Sequence, residues 1–133
     1  MDATSKSCPT ATLVVVVERD IVIAHDLCEM LQDNDPQADI RTCRTLAEAR
    51  DTVLAHERIK ALLTSATVAE IARAGIETLV FSRGGHIVVM SGSDPADLSS
   101  DSRWIFAQRI LSPNVVAAIM RKTENRAPPD LGG

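Results

Sequence analysis

Tyrosine is absent from this chain, and Phe81, Trp104 and Phe106 are its only aromatic residues. Its core must therefore be aliphatic, and the stacking platforms that hold single-stranded bases are missing. Positive charge is also in short supply. Fourteen Lys and Arg against 18 Asp and Glu give a net charge of -4, which argues against a nucleic-acid partner that would need a basic face. No apolar run approaches the roughly 18 residues of a membrane span. The opening Met1-Asp2-Ala3-Thr4-Ser5-Lys6 lacks the charged-then-apolar order of an export signal. A cytoplasmic location without a membrane partner is the expectation. Cys8, Cys28 and Cys43 make no CxxC or Cys/His spacing, so reduced, packed thiols are expected rather than a disulfide framework or metal site.

Aliphatic and β-branched residues, by contrast, are abundant. At 133 residues the chain is long enough for one real core. Residues 1–10 are polar and read as a flexible leader, residues 11–123 as the domain, and residues 124–133, with Pro128, Pro129, Gly132 and Gly133, as a flexible tail. Thr12 to Val17 is a continuous β-branched run, the pattern of a strand buried on both faces. Asp20 is placed to cap a helix in which Ile23, Leu27, Met30 and Leu31 recur on one face, ending at Asp33-Asn34-Asp35-Pro36.

The alternation continues. Ala38 to Cys43 reads as a weaker strand, and Thr45-Leu46-Ala47-Glu48 as a capping box opening a helix to His56. In that helix Leu46, Ala49, Val53 and Leu54 are expected inward. Arg58 to Leu63 is the third strand. Gly75 interrupts the next helical stretch, leaving Ile76 to Arg83 as the main helix and Val68 to Ala74 as an extra turn or two. His86 to Met90 is the fourth strand, Gly92-Ser93-Asp94-Pro95 starts a short helix to about Ser100, Phe106 to Leu111 is the fifth strand, and Asn114 to Lys122 the last helix.

A strand-helix unit repeated five times with short links implies a parallel sheet covered on both faces. The functional crevice of such a sheet lies at the carboxyl ends of its strands. Here that rule selects Glu18-Arg19-Asp20, Thr64-Ser65, Ser91-Gly92 and Ser112-Pro113.

These strand ends, with Val14 to Asp20, Arg58 to Ser65, Ile87 to Gly92 and Ile110 to Pro113, resemble the response-regulator receiver domain of two-component signalling over about residues 11–123. The resemblance implies an α/β, doubly wound (βα)₅ fold of the flavodoxin-like type with strand order 2-1-3-4-5. It also implies a phosphorylation pocket. Glu18 matches the first acid of the metal-binding pair, Arg19 stands where the second is expected, and Asp20 is one step on. Thr64, followed by Ser65, stands at the phosphoacceptor aspartate. Ser91 matches the small hydroxyl residue, Ser112 replaces the lysine, and Pro113 keeps its place, with the cis peptide of the family expected before it.

Phosphorylating a carboxylate needs the acid itself, a hard divalent cation on oxygen ligands, and a further positive charge. Three of those positions are altered together, and no Asp or Glu lies between Lys60 and Ala69 to rescue the acceptor by a shift of register. Arg19 would repel a metal ion and is expected to pair with Glu18 as an internal cation. The aromatic of the family's switch falls on Arg109. Simpler readings stand beside these. Glu18 and Asp20 are equally a surface acid and a helix cap, Thr64 and Ser65 inert loop residues, and Ser91 ordinary turn chemistry. His25, His56 and His86 form no triad, and surface or helix-end roles are expected for them.

The expected protein is thus a stand-alone pseudo-receiver, not an enzyme and without a cofactor. With no output domain attached, it is expected to act on another chain, a histidine kinase, an output protein or a second copy of itself. The expected surface combines the helix after strand four with strand five and the last helix, using Trp104, Phe106, Arg109, Val116 and Met120. Two alternatives remain open. One is an atypical receiver that binds phosphate or Mg²⁺ or is phosphorylated on a hydroxyl. The other is a small flavodoxin-like enzyme or ligand-binding protein, although Glu18-Arg19-Asp20-Ile21 offers no glycine-rich loop.

Overall fold

The computed structural model describes residues 12–92, 102–108 and 111–124. Strand β1 (Leu13–Val17) is buried along its whole length because it is flanked on both sides and both faces. It pairs in parallel with β2 (Asp39–Cys43) on one side and β3 (Ala61–Thr64) on the other. β4 (His86–Gly92) pairs with β3, and β5 (Trp104–Gln108) closes the sheet, giving the order β2-β1-β3-β4-β5.

Side-chain alternation along β1 divides the interior into two layers. Val14 and Val16 point into one layer, where α1 (Ile21–Asn34) contributes Leu27 and Leu31 and α5 (Pro113–Glu124) contributes Val116, Ile119 and Met120. Leu13, Val15 and Val17 point into the other. There α2 (Leu46–Leu54) sends in Ala49 and Val53, α3 (Val68–Ala74) Ile71, and α4 (Ile76–Ser82) Ile76 and Val80. The result is an all-parallel α/β sheet with helices on both faces. Among the described residues no helix is long and apolar enough to cross a membrane.

Caps fix the helix starts. Asp20 Oδ1 accepts the Val22 and Ile23 N–H groups at 3.0 and 3.3 Å. Thr45 Oγ1 accepts the Glu48 N–H at 3.1 Å, but the Glu48 carboxylate reaches back to the Arg44 N–H, at 2.9 Å, rather than to that of Thr45. A full reciprocal capping box belongs instead to α3, between Thr67 and Glu70.

Several boundaries differ from the sequence reading. β3 begins at Ala61, three residues later than Arg58, and takes in Thr64, at whose position the resemblance ends the strand. α3 and α4 are equal seven-residue helices, divided by Gly75 in the left-handed region at φ 70°. Leu54 is exposed, because only Ala49 and Val53 of α2 lie on the buried stripe. β5 begins at Trp104 rather than Phe106, aligned with β4 through the pairs Ile87–Trp104 and Val88–Ile105. No described peptide bond is cis, that between Ser112 and Pro113 included. The short helix expected after β4 lies outside the described residues.

Candidate functional site

The sheet register sets the candidate crevice. Val17 is level with Cys43 on one side and Thr64 on the other, and Thr64 is level with Val89. The loops leaving β1 and β3 are therefore neighbours, joined by the Ser65 N–H donating to Val17 O at 3.4 Å. The chain leaves β1 toward α1 on one face and β3 toward α3 on the other. This is a switch point, where α/β sheets place their ligands.

The side chains found there are already engaged. Glu18 is 4% exposed, and its Oε2 accepts the Asp20 N–H at 3.1 Å. Its own N–H donates to Cys43 O at 3.1 Å, which ties the loop to the end of β2. Asp20 is exposed and caps α1. Arg19 is exposed rather than folded inward, so the internal cation expected from the sequence is not formed. Its charge acts on Glu70 in the first turn of α3. The Glu70 carboxyl is held below its ordinary range chiefly by the hydrogen bond from the Thr67 backbone, with Arg19 a smaller contributor.

Thr64 is 0% exposed, and its Oγ1 accepts the Ala66 N–H at 3.0 Å. A nucleophile must approach its electrophile, and this hydroxyl is enclosed and spent on the turn that follows the strand. Ser65 beside it is half-buried. Ser112 is exposed. Its Oγ accepts the Val115 N–H at 3.3 Å and its carbonyl the Val116 N–H at 2.9 Å, which makes it the N-cap of α5, with Pro113 in the first helical position. The Ser91 side chain and the whole of Arg109 lie outside the described residues.

The carboxylates present do not fit the divalent ion that a receiver pocket holds. Glu18 and Asp20 accept backbone N–H groups, and the residue between them is a cation. Among the described residues no cluster of three or more His, Cys, Asp or Glu is placed to hold a metal. The structure thus brings Glu18, Asp20, Thr64 and Ser65 to one edge and uses them as braces and caps.

The expected partner surface divides. Trp104 and Phe106 stack on β5 with centroids 6.2 Å apart and planes 9° from parallel, and Phe106 is 49% exposed. Phe81 of α4 meets the Trp104 ring edge-on at 5.6 Å, so all three aromatic residues of the chain form one group. Val116 and Met120 do not belong to this surface. They are 1% and 2% exposed and pack in the core layer with Ile119, one stripe of a helix pressed on the sheet.

Elsewhere, Asp39 is gripped by Arg41 Nε and Nη2 at 2.7 and 3.2 Å, the main reason its carboxyl sits below the ordinary range. His56 Nε2 lies 3.7 Å from the same carboxylate, and its Nδ1 is 2.8 Å from Thr52 O at the end of α2. His25 pairs with Glu29 one turn away, while His86 is buried in β4 rather than on the surface. Burial raises the thiol pKa of both Cys28 and Cys43. Arg83 donates to Val53 O in the last turn of α2 and to His56 O just beyond that helix, tying the exit of α2 to the end of α4. That clamp was missed in the sequence, where Arg83-Gly84-Gly85 marks only a helix end. No family model, curated protein or solved structure matches the chain.

Proposed function

We propose that this chain is a receiver-like signalling module, doubly wound in the flavodoxin manner, that works without phosphotransfer and passes its signal through protein contacts. The observation that carries the reading is Thr64. It ends the central strand where a phosphoacceptor would stand, yet it is enclosed and its hydroxyl braces the next turn. Ser112, at the position of the assisting cation, caps α5, and Arg19 replaces a metal ligand with a positive charge. Thr64 and Ser112 each have a structural task, so in this reading the frame is retained while those two chemical positions serve the fold.

The partner reading rests on the β5 edge. Trp104 and Phe106 form an aromatic step there, the kind of rigid anchor that interfaces concentrate. The partner is a signalling protein, a kinase or an output protein, or a second copy of this chain, meeting it in the cytoplasm.

The test is a ¹⁵N–¹H correlation spectrum of the full chain, titrated with Mg²⁺ and then with Mg²⁺ and beryllofluoride, a phosphoryl mimic. The expected result is a well-dispersed spectrum that neither addition changes. Saturable shifts at Glu18, Thr64 and Ser112 would restore an active receiver and sink the reading.

A further inference from the structure

The sheet ends in two edge strands, β2 and β5, and they are built differently. β2 carries one charge of each sign, Asp39 and Arg41, joined at 2.7 Å on the surface. Charged side chains on an edge strand keep it from pairing with another chain. The stretch Trp104-Ile105-Phe106-Ala107-Gln108 of β5 includes no charge and no proline. It is hydrogen-bonded to β4 alone, and Phe106 at its centre is half exposed. One edge is guarded and the other is not.

The pairing with β4 fixes which backbone groups β5 leaves over. Trp104 is level with Ile87, and the Ile87 N–H donates to Arg103 O at 2.9 Å. In a parallel ladder the residues flanking such a position turn their N–H and C=O groups to the neighbouring strand, and the position itself turns them away. Arg103 and Ile105 therefore face β4, while Trp104 and Phe106 face the open edge. There the Trp104 N–H is met by Ser102 Oγ at 3.0 Å. Among the described residues none meets the Trp104 carbonyl or the N–H and C=O of Phe106.

We propose that two copies of this chain pair through that edge, β5 against β5 in antiparallel sense about a two-fold axis at Ile105, so that two five-stranded sheets become one. The inference rests on the reading of the chain as a protein-contact module and names the partner; it runs strand to strand and does not use α5. In this register each Phe106 N–H donates to the other copy's Trp104 carbonyl, and each Trp104 lies beside the other copy's Phe106. The stack of those two rings, 6.2 Å apart within one chain, is thereby continued across the axis. A copy fits because the strand is neutral and asks for no opposite charge, and Arg103 falls level with the copy's Ala107 rather than with another cation. The net charge of -4 opposes the approach of a copy, so pairing tightens as salt screens it, the reverse of a contact held by opposite charges. A five-residue edge is well short of the roughly 20–30 residues a side of a standard interface, so the pair is weak and concentration-dependent.

The test is sedimentation equilibrium of the full chain over a range of protein and salt concentrations, with amide exchange and isotope-filtered NMR on the same samples. The expected result is a monomer–dimer equilibrium that tightens with salt. As the dimer forms, the Phe106 N–H exchanges more slowly, and the Hα of Ile105 in one copy comes into contact with that of Ile105 in the other. Phe106→Lys puts a charge on the edge and weakens the dimer at least about tenfold. Phe106→Pro removes the outward N–H, spares the bonds to β4 and weakens it likewise. Unfolding midpoints of the dilute variants verify the fold, and Phe106→Lys alone decides if the proline variant does not fold. A chain that stays monomeric at every concentration, a dimer unmoved by Phe106→Lys, or a dimer that loosens with salt would each overturn the proposal. The Mg²⁺ and beryllofluoride titration reports on the pseudo-receiver reading separately: loss of the dimer leaves that reading standing, and shifts at Glu18, Thr64 and Ser112 leave the dimer standing.

Discussion

The hydroxyl of Thr64 accepts the backbone N–H of Ala66 at 3.0 Å, closing a turn at the point where β3 ends. Thr64→Val keeps the shape and removes the acceptor, leaving the Ala66 N–H without this partner at a cost of about 1–3 kcal/mol. Thr64→Asp can still accept that N–H but places a carboxylate where exposure is 0% and Glu18 is close in the adjoining loop. It should cost more, on the order of 3 kcal/mol or above, and the cost should shrink as acid protonates the new carboxyl. Urea unfolding of the two variants at neutral and mildly acidic pH checks this. A Thr64→Asp protein as stable as the parent would mean that the pocket is open to solvent and ready for charge.

Ser112 offers a second test of the proposed reading, in which a helix cap stands at the position that a receiver gives to lysine. Its Oγ caps α5 through the Val115 N–H, and Pro113 follows with the backbone angle the first turn needs. Ser112→Ala should lose about 1 kcal/mol, and Ser112→Asp, which also caps, should lose little or nothing. Ser112→Lys, which recreates the receiver residue, should lose as much as alanine and gain no response to beryllofluoride. Equal unfolding midpoints for Ala, Asp and Lys would remove the cap from the account.

How far the sequence discloses this molecule depends on what kind of signal each element carries. β1 is legible because its aliphatic run admits no exposed face, and Asp20 because a capping acid stands directly before an apolar periodicity. The start of β5 is not, since Trp104-Ile105-Phe106-Ala107-Gln108 is an edge strand with only one covered face and the apolar pair Ile110-Leu111 follows close behind it in sequence. Val116 and Met120 illustrate the opposite error. With Ile119 they make a stripe at helical spacing, a core signal that the receiver resemblance led us to read as an interface. Thr67-x-x-Glu70 spells a capping box openly but is overshadowed by Gly75 five residues after Glu70. Positions taken from the receiver resemblance also hid the local chemistry of Ser112. Read without the missing lysine in mind, Ser-Pro before an apolar stripe is a helix start.

Acid should weaken the fold, in part through two depressed carboxyls. Asp39 is held low mainly by its Arg41 hydrogen bonds and Glu70 mainly by the Thr67 backbone. A folded pKa below the unfolded one means the unfolded chain binds more protons in between, so stability rises with pH. The contribution is complete above the unfolded values of about 3.9 for Asp and 4.3 for Glu. It is lost as pH falls through the depressed folded values. Both groups are solvent-accessible, so each effect is small. The double variant D39N/E70Q should show a flatter loss of urea midpoint than the parent between about pH 5 and about pH 3. A slope identical to the parent would assign the acid sensitivity to other carboxyls.

Gly75 and Gly85 separate two reasons for having no side chain. A Cβ on Gly85 would lie 2.8 Å from Ile59 Cγ2, 2.9 Å from Val80 Cγ1 and 3.1 Å from Ile59 O. Ile59 and Val80 are buried in the same core layer, so neither can step aside without disturbing α4 or the entry to β3. Gly85→Ala should therefore cost about 1–3 kcal/mol from overpacking. Gly75 has φ 70° and nothing within 4 Å of a Cβ, which leaves only the backbone penalty, about 1–2 kcal/mol for alanine. Asparagine tolerates that backbone region, so Gly75→Asn should recover part of the loss, whereas Gly85→Asn should be worse than Gly85→Ala because it is larger. Unfolding midpoints of the four variants decide it. If asparagine rescued position 85 as well as position 75, the close packing of Gly85 against Ile59 and Val80 would not be what keeps that residue glycine.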